Sequence, residues 1–331
     1  MNSLGRVFRL SIFGESHGSC VGVVLDGCPA GLPLDETDFY VDLERRKGSD
    51  VAFGVTKRQE VDRPLLQTGL CRGRTTGAPL VMLFENHNVD SSAYDDIKDT
   101  PRPGHADWVA LHKFGGFADM RGGGHFSGRL TAPLVAAGVV AKKLLKPAMV
   151  TARLLEVGGS RNIEQTVAEA LENQDSVGGL IECRVAGLSA GLGEPFFDSV
   201  ESMISHAVLS IPAINGIEFG DGFQACRSRG SLVNDALKST TGQTRTNHSG
   251  GVNGGISNNN ELIFRVSVKP TSSIRALQMT LNIKLNKQVA ISTKGRHDAC
   301  IALRAPVIVE AMAAVALTDL ALLAGALPRI L

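Results

Sequence analysis

Val7-Phe8-Arg9-Leu10-Ser11-Ile12-Phe13-Gly14-Glu15-Ser16-His17-Gly18-Ser19-Cys20-Val21-Gly22-Val23-Val24-Leu25 is the stretch on which the reading of the fold turns. Val7 to Phe13 alternates apolar and polar residues, the period of a half-buried strand, and Val21 to Leu25 is β-branched and strand-like again. Between them, Gly14-Glu15-Ser16-His17-Gly18 fits G-x-S-x-G, the serine nucleophile elbow, but the elbow requires a helix after its serine. A strand follows instead. The segment therefore reads as a strand-to-strand turn that either aims Ser16 and His17 into a site or is structural only. A serine hydrolase built on Ser16 is the rival reading.

Outward from this hairpin, Leu34-Asp35-Glu36-Thr37 opens a helix to about Arg46, with Asp35 as N-cap. Leu80 to Phe84, Gly179 to Ala186 and Glu261 to Lys269 read as strands. Thr131 to Leu145, Ile163 to Leu171, Ser199 to Leu209 and Ala305 to Leu323 read as helices. Residues 47–64 and 86–107 lack apolar periodicity and read as long loops, a length usually tied to function or disorder. Strands and helices mix without βαβ alternation, which favours α+β over a doubly wound sheet. No repeat or linker interrupts residues 1–331, so a single domain is expected.

With 331 residues and 43% hydrophobic content, the chain can bury a sizeable core. Its 34 Lys+Arg against 33 Asp+Glu exclude nucleic-acid binding through bulk positive charge. The six cysteines show neither C-x-x-C pairing nor regular spacing, so no disulfide framework and no metal site are expected. Met1 to Arg6 holds no apolar leader segment. Glu310 and Asp319 interrupt the long apolar stretch at 305–327, which reads as a buried or interface helix, not a membrane span. Being apolar over most of its circumference, it demands burial, and this points to an oligomer. A soluble, cytoplasmic protein is expected.

Histidines and arginines recur at glycine-rich turns. Arg102-Pro103-Gly104-His105-Ala106-Asp107 pairs an arginine suited to anions with a histidine able to act as acid or base near neutrality, or simply forms a local His-Asp hydrogen bond. Arg121-Gly122-Gly123-Gly124-His125-Phe126-Ser127-Gly128-Arg129 leads into a helix and would present backbone N–H groups to an anion. It is neither a P-loop nor a dinucleotide fingerprint. Asn247 to Ser257, with Lys269-Pro270-Thr271-Ser272-Ser273, suits a phosphate or flavin cradle, or a hairpin with polar turns. Lys294-Gly295-Arg296-His297-Asp298 lies before the closing helix. Together these turns call for a strongly anionic ligand.

The same segments, in this order, resemble the chorismate synthase family along nearly the whole chain. They are GESHG at 14–18, DGCPAGLPL at 26–34, RPGHAD at 102–107, RGGG at 121–124, GLGEP at 191–195, GDGF at 220–223, GGIS at 254–257, KPTSS at 269–273 and GRHD at 295–298. The resemblance implies a β-α-β sandwich of antiparallel sheets and helices, a homotetramer, and a 1,4-anti elimination of phosphate from 5-enolpyruvylshikimate-3-phosphate. It also implies reduced FMN (FMNH2) as cofactor with no net redox change, and an association with NADP, the flavin being reduced either by the protein itself with NADPH or by an external reductase. The absence of a dinucleotide fingerprint leans toward an external flavin reductase.

By resemblance, His17 is the general acid for phosphate, His105 neutralises reduced flavin, and Asp298 assists removal of the C6 proton. Ser16, Arg46, Arg102, Ser127, Arg129 and Arg296 would hold substrate, because two carboxylates and a phosphate need several guanidinium forks. FMN contacts would fall on His125, Phe126, Ser127, Pro212, Ala213, Gly254, Lys269 through Ser273, and Arg296. Many members carry arginine where His125 stands, and arginines missing here from the loop after Arg46. A flavin-binding protein that has lost turnover remains a third reading.

Overall fold

The structure, a computed structural model, describes residues 2–48, 53–55, 62–87, 99–293 and 297–331. Its first sheet is built from β1 (Ser3–Leu4), β2 (Arg9–Gly14), β3 (Cys20–Asp26) and β4 (Leu65–Thr68). After a small hairpin, β5 (Leu70–Cys71) and β6 (Arg74–Thr75), β7 (Leu80–Glu85) completes it in the order β1-β2-β3-β7-β4. Every neighbouring pair is antiparallel. Gly14 lies opposite Val21, so residues 15–20 form the end of a hairpin. β3 in place of a helix removes the nucleophile elbow.

The second sheet holds β8 (Met149–Val157), β9 (Gly179–Ala186), β10 (Ile214–Phe219) and, after the hairpin β11 (Val252–Asn253) with β12 (Ile256–Ser257), β13 (Leu262–Val268). Their order is β10-β13-β9-β8 and the pairs are again antiparallel. A third hairpin, β14 (Gln278–Asn282) and β15 (Lys287–Ile291), stands apart from both sheets. Each sheet turns one face inward: Val21, Val23 and Leu25 on β3, and Leu262, Phe264 and Val266 on β13, are fully buried at alternate positions.

The helices are α1 (Tyr40–Lys47), α2 (Asp107–Lys113), α3 (Thr131–Leu145), α4 (Ile163–Glu172), α5 (Val200–Val208), α6 (Gly230–Val233) and α7 (Pro306–Leu323). α3 packs on α7 and on β3, and α7 packs on β8 and β9, so the helix pair fills the space between two sheets. This is the expected α+β sandwich. Every residue of α3 except Lys142 and Lys143 is buried. The apolar character of α7 is met inside one chain, since Val307 through Leu322 are all buried. By length and composition α7 could cross a membrane, but 89% of it is buried within the protein. Its burial therefore carries no argument for an oligomer.

The two charges within α7 tie the layers together. Glu310 accepts from both terminal nitrogens of Arg45 at 2.9 and 2.7 Å, from Lys142 at 2.6 Å and from the Ala152 N–H at 2.8 Å. Asp319 accepts the backbone N–H groups of Arg6, Val7 and Phe8 at 2.8–2.9 Å. Asp35 caps the first helical turn, within a capping box with Asp38.

Several elements escaped the sequence reading. α2 shows no apolar stripe, because Trp108 and Val109 on it are about half exposed. β8 has half-buried residues on both faces and no clean alternation. Most of the loops placed at 47–64 and 86–107 lies outside the described residues.

Gly138 sets how closely the helix pair packs: a Cβ there would lie 2.2 Å from Ala311 Cβ and 2.5 Å from Ala311 Cα. Gly138→Val is expected to lower unfolding stability by roughly 1–3 kcal/mol or more through overpacking, read as a fall in the urea midpoint. An unchanged midpoint would show that the helices separate without cost.

Candidate active site

The Arg121–Phe126 turn is built from glycines in the left-handed region: Gly122, Gly123 and Gly124 have φ of 59, 83 and 53°. Such angles let the backbone press against side chains that a Cβ would exclude. A Cβ on Gly122 would stand 2.3 Å from His17 Cδ2 and 2.9 Å from Ser16 Oγ. The Gly123 position faces His105 Cε1 and Nε2 at 3.7 Å and Ser127 Cβ at 3.8 Å. Ser16 N–H donates to Gly124 O at 3.1 Å, which fixes the hairpin end onto this turn. The turn thus draws Ser16, His17, His105 and Ser127 together from three distant segments.

His105 is held from behind. Its Nδ1 lies 2.5 Å from Asp107 Oδ1, and Arg102 forks both Asp107 oxygens through Nε at 2.7 Å and a terminal nitrogen at 2.8 Å. Burial would push the Asp107 carboxyl up. The hydrogen bonds from Arg102 and His105 outweigh that and hold it well below the usual carboxylate range. An ionised Asp107 needs a donor, which puts the proton on Nδ1 and turns Nε2 toward Gly123. The other terminal nitrogen of Arg102 donates to Ser273 Oγ at 2.9 Å. Lys269 Nζ and Ser272 Oγ both donate to Gly104 O at 2.7 Å. The Lys269–Ser273 segment and the Arg102–Asp107 turn are therefore one assembly.

Arg46 and Arg129, each 2% exposed, meet on one carboxylate. Asp62 accepts from Arg46 through Oδ2 and from Arg129 through Oδ1. Burial would raise its pKa, but the two guanidiniums dominate and hold it at about 2. Arg46 also donates to Thr131 Oγ1 at 3.1 Å, while its buried Nε has no hydrogen-bond partner among the described residues. Arg129 donates through Nε to Asn86 Oδ1 at 2.9 Å and to Glu85 O at 3.0 Å. The Asn86 amide in turn donates to Glu15 O at 3.0 Å and Gly18 O at 2.9 Å, strapping the turn that carries Ser16 and His17.

A cavity of about 700 Å³ opens beside these groups, within the size range of small-molecule sites. Leu10, Ile12, Leu134, Ile308 and Met312 supply its apolar wall. Arg46, His105, His125, Phe126, Pro212, Ala213, Lys269 through Ser273, Asp298 and Arg304 are also among its lining. Thr271 Oγ1 is buried in the lining with no partner among the described residues, so this wall offers an unused hydroxyl. Ala213 takes a positive φ of 72°, and its carbonyl accepts from Lys269 N–H at 2.9 Å. His125 Nδ1 donates to Gly14 O at 2.8 Å, tying the glycine turn to β2. Arg304 donates to Asp298 Oδ1 at 2.8 Å. Burial pushes the Arg304 guanidinium below its ordinary value, with Asp298 opposing.

Of the residues singled out from sequence, Ser16, His17 and Ser127 gather at the glycine turn, and Ser127 Oγ caps the short turn into α3 by accepting from Arg129 N–H at 3.3 Å. Ser16, His17, Arg102, Ser127 and Arg129 are not among the residues that line the cavity. Gly254 lies in the β11–β12 hairpin, away from the cavity lining. Arg296 lies outside the described residues. Sequence reading missed Asp62, Asn86 and Arg304, while the local His105–Asp107 hydrogen bond it offered as an alternative is present at 2.5 Å. Asp62 and Asn86 fall in polar stretches with no periodicity, and nothing local marks them.

A family model described as chorismate synthase matches residues 8–322. The chain is 59% identical over 324 residues to the chorismate synthase of Chitinophaga pinensis, covering 98% of this chain and 97% of that protein. It is 43% identical over 361 residues to that of Dehalococcoides mccartyi strain 195, covering 100% and 99%. A crystal structure of chorismate synthase matches with a TM-score of 0.73 at 25% identity, over 96% of this chain and 92% of that one.

The depressed carboxyls make a pH prediction. A group whose folded-state pKa lies below its unfolded value stabilises the fold above the unfolded value and loses that contribution as pH falls through the folded one. For Asp62 that window runs from 3.8 down to about 2, and Asp107 shifts in the same direction. Denaturant midpoints should fall steeply between pH 4 and 2, and less steeply in Asp107→Asn. Equal slopes in both proteins would show that the carboxylate is not held as described.

Proposed function

The chain belongs to the chorismate synthase family, and on that premise we propose how its own residues serve the reaction. It is a lyase of the shikimate pathway that eliminates phosphate from 5-enolpyruvylshikimate-3-phosphate to give chorismate. In that reaction the C6–H bond and the C3–O bond to phosphate break, phosphate leaves with its electron pair, and no net oxidation occurs. Reduced FMN is the proposed cofactor: Lys269 through Ser273, His125, Phe126, Pro212 and Ala213 would hold it, and when bound it would supply the transient electron density that phosphate departure requires. The unused Thr271 hydroxyl and the size of the cavity support that fit.

His17 is assigned to protonate the departing phosphate, with Ser16 beside it. Arg46 and Arg129 are assigned to the anionic groups of the ester, and the buried unpartnered Nε of Arg46 supports this. Arg102 already bonds Asp107 and Ser273. It is assigned to holding His105 as well as to the ester, as Arg129 is bonded to Asn86 and Asp62 while assigned there. His105, its Nδ1 committed to Asp107, lines the cavity and would stand there to neutralise negative charge on a bound reduced flavin. Asp298, steadied by Arg304, assists removal of the C6 proton.

The observation that carries this reading is the left-handed glycine turn, whose consecutive positions face His17 and His105 and leave no room for a Cβ at the first. Anaerobic incubation with chemically reduced FMN and the ester, followed by phosphate release, tests it. His17→Ala and His105→Ala are each expected to slow release by roughly 10²–10⁴-fold, with binding of ester and flavin changed far less. Near-normal release in both would remove these histidines from the mechanism. Tight flavin binding without any release by the wild-type protein would leave a flavin-binding protein that has lost turnover.

A homotetramer is the proposed assembly. Phe196, Phe197 and Phe223 are 86, 91 and 75% exposed, apolar surface that a single chain leaves in water. Sedimentation should give about four times the 35.0 kDa chain mass, and a mass near that of one chain would sink the claim.

A further inference from the structure

Outside the cavity lining, one carboxylate serves two of the arginines assigned to the ester. Arg46 lines the cavity, whereas Asp62, to which it is bonded, and Arg129, bonded to Asp62 in turn, do not. All three groups are almost fully buried. Two buried guanidiniums repel each other and have lost their hydration; a shared carboxylate offsets both effects and fixes their separation. Through Arg129 the hold extends further, because Arg129 Nε bonds Asn86 and Asn86 bonds the carbonyls of Glu15 and Gly18 on either side of Ser16 and His17. A displacement of Arg129 is thus felt at the hairpin end that carries the proposed acid.

We propose that Asp62 is a positioning residue for the elimination, holding Arg46 and Arg129 as a paired anion receptor at a fixed place relative to His17. This rests on the reading that those arginines bind the ester. It has an electrostatic signature that packing alone lacks. Asp62 is a resident negative charge beside an anion site, so it weakens ground-state binding of phosphate while it improves placement for the reaction. Removing it should tighten binding and slow turnover, a split opposite in sign to the loss of a ligand.

Arg46→Ala and Arg129→Ala test the parent reading. They are titrated by calorimetry with the ester in the presence of oxidised FMN, where no turnover occurs. Unchanged affinity in both sinks that reading, whatever Asp62 does. Where affinity falls in these two, Asp62→Asn is expected to bind both inorganic phosphate and the ester roughly tenfold more tightly, while kcat with reduced FMN falls about 10 to 100-fold. Asp62→Asn with wild-type or weaker affinity overturns the proposal, since a purely structural carboxylate would reduce the active fraction and leave the affinity of folded molecules alone. Asp62→Glu covers the case in which the asparagine variant fails to fold. It keeps the charge but moves the carboxylate by one methylene, so affinity should stay within about twofold while kcat falls at least tenfold. A wild-type kcat in Asp62→Glu overturns the proposal as well.

Discussion

Two helices pressed together until Gly138 touches the backbone of Ala311 determine the spacing of everything else in this molecule. α3 and α7 are buried along almost their whole surfaces, so apolar contact alone leaves their rotation and register loosely specified. Directional bonds supply the missing information. Glu310 reaches α1, α3 and the second sheet at once, and Asp319 binds three successive backbone N–H groups ahead of β2. Either carboxylate left unpaired at such depth would cost several kcal/mol, so registers that miss these partners are disfavoured. Because α3 starts directly after the glycine turn, its placement also sets where that turn meets His17 and His105.

Much of this was legible in the sequence, and the pattern of success is physical. Strands with one buried face, such as Val21–Leu25 and Leu262–Val268, announce themselves by alternation, and helices such as Thr131–Leu145 by length and composition. The strand after Gly18 ruled out an elbow. What sequence could not supply was partnership. Arg46, Arg102 and Arg129 were visible as arginines near glycine turns, but their counterions were not all visible as counterions. Asp62 lies 16 residues from one of its arginines and 67 from the other. The apolar closing helix was legible as needing burial, yet whether its own chain or a second copy supplied that burial was a tertiary question.

The site is marked less by bare positive charge than by charge already in harness. Asp107 holds one guanidinium and Asp62 two in a fixed attitude, and Asp298 is bonded by a fourth. Groups held this way do not reorganise when charge develops during a reaction, which is where preorganised sites gain most over water. The same arrangement limits the net field in the cavity. Such a site discriminates by the placement of anionic groups more than by their number.

Asp319 also has a consequence for how the protein is made. The backbone ahead of β2 is bonded by a residue more than 310 positions later, and Ala30 exchanges hydrogen bonds with Arg329 and Leu331 at 3.1 and 2.9 Å. During translation the β2–β3 hairpin emerges about 300 residues ahead of Asp319, its anchor. At about 5–20 residues per second, that interval is roughly 15–60 s. Closing so long a loop adds little free energy, since the entropy grows only with the logarithm of length. The burden falls on timing: the N–H groups of Arg6, Val7 and Phe8 wait for their carboxylate until α7 has been made, long after β7 and α3 have covered the hairpin.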